Sequence, residues 1–226
     1  MIRERIYRVE LALRRGMPEP AKAMLRLARL ATRRPPASAP AIPQVQLDGC
    51  QVLTDRVEML RRLPKGGVFC ELGTLNGDFA RRILDIVEPE VLHLVDVTFE
   101  TCRPDVLADS RVRAHQTTTL AFLAEAAPDS LDAIYVDADH SQAAVAADIA
   151  AAKSRLRPGG YLMFNDFARI VRPGFGVFGV HQAVTEFMAA EGWPASHFCL
   201  NGEALYDISL RRPAGRPGGG PGDDRE

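Results

Sequence analysis

No stretch of this sequence approaches the ~20 consecutive apolar residues that a membrane-spanning helix needs, and the N-terminus has no unbroken apolar run of the kind a secretory signal carries. The four cysteines, Cys50, Cys70, Cys102 and Cys199, are widely spaced and form no CxxC pair. Reduced thiols in a reducing compartment are therefore expected, and with them a cytoplasmic location. A surplus of positive charge is missing too. The formal net charge is −1, which argues against a dedicated nucleic-acid binder.

What is present suits one ordinary globular domain with short extensions: 226 residues, 46% hydrophobic and 25% charged, enough to bury a substantial core. Charge is uneven along the chain. Residues 1–34 hold ten basic residues against three glutamates, with Ile2, Ile6, Val9 and Leu13 and then Met24, Leu27, Ala28 and Ala31 at helical spacing. This basic helical arm reads as a docking or homo-oligomer-forming element, or as an attachment to an anionic surface. A stiff proline-rich linker, 35–44, separates it from a body at 45–212. The tail, 213–226, is Gly, Pro and charge and reads as disordered.

Within the body, strand-like runs at Gly67–Gly73, Val91–Asp96, Val112–His115, Leu131–Asp137 and Gly160–Asn165 alternate with helical patterns at Asp78–Val87, Thr119–Ala126 and Ser141–Leu156. Such alternation predicts an α/β, Rossmann-like doubly wound sheet, mostly parallel. A helix over Val180–Glu191 follows, and two last strands, His197–Leu200 and Ala204–Leu210, flank the turn signal Asn201-Gly202. An antiparallel C-terminal hairpin is thus expected to close the sheet. Asp96, Asp137 and Asn165 end three of the strands and Glu71 lies at the exit of the first, so these polar groups converge on the rim where open α/β sheets bind ligands.

The loop "ELGTLNG" places Glu71 and Gly73 at a strand exit and Gly77 at a helix start. A dinucleotide fingerprint would need glycine where Leu75 and Asp78 stand, which demotes a nicotinamide cofactor. The spacing E-x-G-x-x-x-G resembles motif I of class I S-adenosylmethionine-dependent methyltransferases, with Asp96 where that family puts the acid for the ribose hydroxyls. The resemblance implies cofactor contacts from Glu71, Gly73, Thr74, Gly77, Asp96, Val97, Thr117, Thr118 and Asp137. Read from the residues alone, the loop is equally a βα turn with Asp96 as a helix cap, and Thr118 equally an N-cap.

The stretch "YVDADHSQ", together with "FNDF" at residues 164–167, is similar to one branch of that superfamily, the metal-dependent O-methyltransferases, which include catechol, caffeoyl-coenzyme A and macrolide sugar enzymes. That resemblance implies a Mg2+ ion on Asp137, Asn165 and Asp166, and His140 as the base that deprotonates an acceptor hydroxyl. Oxygen ligands suit a hard cation, and a neutral imidazole with an ordinary pKa near ~6.5 suits the proton transfer. Asp139, three residues before Gln142, has the spacing of a capping box and is expected to cap the next helix. The Gly- and aromatic-rich loop that follows is expected to cover the acceptor, with Phe175, Phe178 and His181 within reach of it.

Three functions follow. The leading one is an O-methyltransferase, Mg2+-assisted, acting on a hydroxylated small molecule, a sugar or a glycoside. The second is a metal-independent methyltransferase in which Asp137 and Asp166 orient the acceptor, and the third a non-catalytic module that binds S-adenosylmethionine.

Overall fold

A computed structural model of the chain describes residues 38–168, 171–172, 176–202 and 205–214. The expectations for the arm, for Phe175 and for residues 215–226 lie outside that set. The chain divides into a body, 39–171 with 177–226, and a second unit, 1–38 with 172–176, of which only Ser38, Arg172 and Gly176 are described. The candidate site lies wholly in the body.

Eight strands form one sheet in the order β1-β9-β10-β6-β5-β2-β3-β4: β1 (Gln51–Leu53), β2 (Val68–Leu72), β3 (Val91–Asp96), β4 (Val112–Gln116), β5 (Leu131–Val136), β6 (Leu156–Phe164), β9 (Ala195–Cys199) and β10 (Asp207–Arg211). Two short strands, β7 (Val171–Arg172) and β8 (Gly176–Val177), pair separately. The pairings β6/β5, β5/β2, β2/β3 and β3/β4 are parallel, and β10 runs antiparallel to both β6 and β9. The doubly wound, mostly parallel sheet with an antiparallel C-terminal pair is therefore as the sequence implied.

Six α-helices and a short 3-10 helix, Gln44–Gln46, complete the described body: α1 (Arg56–Arg62), α2 (Asp78–Ile86), α3 (Pro104–Leu107), α4 (Thr119–Glu125), α5 (Gln142–Ala152) and α6 (Val180–Glu191). Strand alternation deals side chains to two cores. Cys70 and Leu72 of β2, Ile134 and Val136 of β5, and Leu162 and Phe164 of β6 pack with Phe122, Val145, Ile149 and Val184 of α4, α5 and α6. Phe69, Ala133, Tyr135 and Met163, on the opposite face, pack with Met59 and Leu60 of α1, Ile83 of α2 and Val106 of α3. Burial on both faces is why these strands read as nearly continuous apolar runs. Each fully buried Leu or Ile in them contributes about 1.5–3 kcal/mol of transfer free energy.

Two local expectations are corrected, and two elements, β1 and α1, were not anticipated. The edge strand β1 and helix α1 gave no sequence signal, because β1 is three residues long and two of them are exposed. Helix α5 ends at Ala152, and Arg157-Pro158-Gly159-Gly160 belongs to β6, where the register against β5 shifts between Leu131 and Ala133. Asp139 is not the cap of α5. The cap is Ser141, whose hydroxyl accepts from Ala144 N, while Asp139 braces the preceding turn by accepting from Ser141 N at 2.8 Å. Among the described residues, no helix is long and apolar enough to cross a membrane.

Candidate active site

The carboxyl ends of β2, β3, β4, β5, β6 and β9 share one rim, and the start of β10 meets it from the other direction. On the β2 side the backbone is shaped by two glycines. Gly73 has φ +91°, and a Cβ there would lie 2.2 Å from the Asp137 carbonyl oxygen, so the exits of β2 and β5 pass too closely for any side chain. Gly77 caps α2 at φ +78°. Between them, the amides of Thr74 and Leu75 both donate to Asp96 Oδ2 at 2.9 Å, and Thr98 N reaches Asp96 Oδ1 at 3.2 Å. Asp96 thus ties the glycine loop to the next strand.

Leu75, whose amide donates to that carboxylate, and Val97, next to Asp96 in the chain, stand 70% and 63% exposed. Glu71 is buried at the loop's root, and its Oε2 has no hydrogen-bond partner among the described residues. Burial first, and then the Asp137 carboxylate, push the Glu71 pKa well above the ordinary range. An orphaned buried carboxyl oxygen beside a tight glycine turn fits the cationic end of S-adenosylmethionine. Thr117 donates its amide to the Asp96 carbonyl at 2.9 Å, and the Thr118 hydroxyl caps α4 by accepting from Ala121 N.

At the ends of β5 and β6, the structure brings Asp137, His140, Asn165 and Asp166 together. His140 Nε2 lies buried 3.5 Å from Asp137 Oδ1 and 3.6 Å from Asp166 Oδ2, and among the described residues it has no closer hydrogen-bond partner. Burial alone would lower the His140 pKa, but Asp137, then Asp166 and Asp139, outweigh it and leave the group above its ordinary value. The ring stacks on Phe178, with centroids 4.8 Å apart. Gly179 N donates to the His140 carbonyl at 2.8 Å, fixing the turn from behind. Asp166 sits at φ +52°, a left-handed conformation for a residue with a Cβ, found here at the reacting end of the rim. Phe178 is buried at 4% exposure and braces the His140 ring. His181 lies on the ring of Phe167, with centroids 4.8 Å apart.

The expected Mg2+ triad does not form a three-oxygen cradle. Asn165 Nδ2 donates to Asp137 Oδ1 at 2.8 Å, while its oxygen accepts from Arg56 Nη1 at 3.3 Å. Rotating the amide by half a turn would set its NH2 against the guanidinium and its oxygen against the carboxylate, so the partners fix its orientation. Arg56 Nη1 also lies 3.9 Å from Asp137 Oδ2, a positive charge already beside the carboxylate. Among the described residues no group of three His, Cys, Asp or Glu side chains is arranged to hold a metal. The donor set does not fit the ion.

Four residues of this site escape a sequence reading: Arg56, Tyr135, Asn201 and Asp207. The Tyr135 hydroxyl, wholly buried, donates to Asp207 Oδ2 at 2.6 Å and accepts from Arg56 Nη1 at 3.2 Å. Asn201 Nδ2 donates to Asp207 Oδ1 at 2.7 Å, and Arg56 N donates to Asn201 Oδ1 at 3.1 Å. Burial raises the Asp207 pKa to about 6, against the opposing pull of Tyr135 and Arg56. The available signal was a polar tip, Tyr135, in the otherwise apolar last four residues of β5.

Residues 70–167 match a family model described as a methyltransferase domain. No curated protein matches the sequence. Among solved structures, the N-methyltransferase NodS from Bradyrhizobium japonicum WM9 aligns with a TM-score of 0.55 at 20% identity, covering 70% of this chain and 94% of that one. NodS in complex with S-adenosyl-l-homocysteine gives a TM-score of 0.56 at 19% identity, over 70% and 86% of the two chains. An O-methyltransferase family protein from Burkholderia thailandensis gives 0.54 at 15% identity, over 71% of this chain and 56% of that one. At such identities the likeness is one of fold, and the domain match runs from β2 to just past β6. Residues 70–167 thus match a methyltransferase-domain model, on a fold shared with methyltransferases of known structure.

Proposed function

We propose that this enzyme methylates a hydroxyl of a small molecule or saccharide, with His140 as general base. One observation carries the reading: the buried Nε2 of His140 faces two carboxylates at 3.5 and 3.6 Å, with no closer hydrogen-bond partner among the described residues, on the rim that also holds the glycine loop. When bound, S-adenosylmethionine supplies a methyl group whose carbon–sulfur bond breaks as the new carbon–oxygen bond forms, the electron pair staying on sulfur. Neutral His140 takes the hydroxyl proton at Nε2, and Asp137 and Asp166 stabilise the imidazolium that results. The proton then passes to solvent. Phe178 and the Gly179 amide hold the ring, so that much of the acceleration comes from position.

The cofactor contacts proposed for Glu71, Gly73, Thr74, Gly77, Asp96, Val97, Thr117, Thr118 and Asp137 are supported by their common rim. The hydroxyl reading rests on the resemblance to sugar O-methyltransferases together with a base at that spacing. The orientation of Asn165 and the nearness of Arg56 favour the metal-independent form over the Mg2+-assisted one.

Methyl transfer from labelled S-adenosylmethionine into a fractionated metabolite pool, run with EDTA and with Mg2+, tests this. An O-methylated product formed equally in both supports it. An N-methylated product overturns the hydroxyl assignment, and activity only with Mg2+ restores the metal. Failure to bind S-adenosylhomocysteine by calorimetry would overturn the cofactor site.

A further inference from the structure

Arg56 is placed with more care than a surface arginine needs. It opens α1, where Asp55 caps the helix by accepting from Val57 N at 2.8 Å and Glu58 N at 2.9 Å. Its own amide is tied to Asn201, and its guanidinium crosses the face of Phe79 with 4.6 Å between Cζ and the ring centroid. From there Nη1 meets Tyr135, Asn165 and Asp137, which come from the ends of β5 and β6. Beneath lies Asp207, wholly buried, whose two carboxylate oxygens accept from Tyr135 and Asn201. Asp207 therefore orders the groups that hold Arg56 at both its backbone and its side chain. A buried polar network satisfied on every side specifies one geometry.

We propose that Arg56 is the built-in cation of the acceptor site: through Asn165 and Asp137 it holds the carboxylate beside His140, where the resemblance would have put a divalent ion. This rests on the methyltransferase reading above. Arg56 is a positioning residue, since it acts through Asp137 and Asn165. A planar guanidinium suits the task because it offers several donors in a fixed plane and stays charged at any working pH. Covalent attachment also makes the charge independent of metal supply. The apolar face of Phe79 covers one side of the group, and the Tyr135–Asp207–Asn201 cluster supports it from below.

The test uses the full chain with two readouts. Manganese electron paramagnetic resonance, recorded with S-adenosylhomocysteine present, should show no Mn2+ bound to the wild type that Mg2+ displaces. Arg56→Met should lower kcat by about 10²-fold in EDTA, as misplacement of reacting groups does. KM for S-adenosylmethionine should stay within about twofold, because the glycine loop is untouched. Arg56→Lys should recover part of kcat, since one ammonium keeps the charge without the planar fork. Mn2+ binding that Mg2+ displaces and Asp137→Asn abolishes overturns the inference, whatever the acceptor. An unchanged kcat in Arg56→Met overturns it as well, and if that variant does not fold, a folded Arg56→Lys with wild-type kcat and KM together with bound Mn2+ does so. A wild type that transfers no methyl with EDTA or Mg2+ overturns the function reading instead, and the Mn2+ spectra then decide on Arg56.

Discussion

The imidazole of His140 and the ring of Phe178 lie nearly parallel, inclined by 15° with centroids 4.8 Å apart. An imidazole held on one face by an aromatic ring, and at its residue's carbonyl by the Gly179 amide, keeps the rotamer that points Nε2 at Asp137 and Asp166. The start of α6 therefore positions a residue at the start of α5.

Phe178→Ala should leave S-adenosylhomocysteine affinity unchanged, because the Phe178 ring packs on His140. It should lower kcat by about tenfold or more through a loosened base. Calorimetry and steady-state rates on one preparation check both, and a weakened affinity with normal kcat would contradict the arrangement.

The pH dependence has a definite sign. His140 must be neutral to act, and the carboxylates of Asp137, Asp166 and Asp139 hold its pKa above the ordinary value. kcat/KM should therefore rise with pH through an apparent pKa above ~6.5. Asp166→Asn removes one of these carboxylates and should move that limb to lower pH, whereas His140→Gln should cost about 10²-fold in turnover and remove the limb. The same raised pKa contributes stability that is full below ~6.5 and is lost as pH rises through the folded value. Thermal melts of Asp166→Asn should accordingly fall furthest below wild type at mildly acidic pH.

Gly73→Ala should be far more damaging than Gly77→Ala. At position 73 the new methyl would lie 2.2 Å from the backbone oxygen of Asp137, and backbone cannot yield without parting β2 from β5. At position 77 the nearest atom, at 2.8 Å, is Cys102 Sγ at the tip of a side chain that can turn, which leaves mainly the left-handed backbone cost of roughly 1–2 kcal/mol. Melting temperature and S-adenosylhomocysteine affinity should both collapse in the first and decline moderately in the second. Equal losses would count against the close approach.

His93 Nδ1 and His115 Nε2, on neighbouring strands, are 2.9 Å apart, so at least one ring must be neutral. Burial first, then His115 and Arg113, lower the His93 pKa to about 4. A histidine whose folded pKa lies below its unfolded one contributes stability that is present above ~6.5 and lost as pH falls towards the folded value. Chemical denaturation between pH 7 and pH 4 should show that loss, and His93→Phe should flatten it.

Much of the fold was legible because its signals are local. β3 and α6 fall on their expected bounds, Val91–Asp96 and Val180–Glu191, because a mostly apolar run that ends in Asp96 and a helical period that stops at the left-handed Gly192 are both local signals. Edge strand β1 was not legible, since a partly exposed triplet carries no period. The cap of α5 was misassigned by two residues because Asp139 and Ser141 both have capping chemistry, and only the course of the backbone chooses between them.

The sequence by itself determined the alternating α/β order, the glycine loop and the polar strand ends, because each depends on residues near one another in the chain. It also determined the spacing of Asp137 and His140. Only the tertiary structure decided what surrounds that pair. Arg56 is 81 positions from Asp137 in the chain and Asp207 is 72 positions from Tyr135, and no local pattern encodes such meetings. Their contact depends on the parallel stacking of β5, β6 and β9 and the reversal at β10, which bring separate stretches of chain to one rim. The orientation of the Asn165 amide, and with it the poor fit of a metal ion, was settled there by the charges on either side of it.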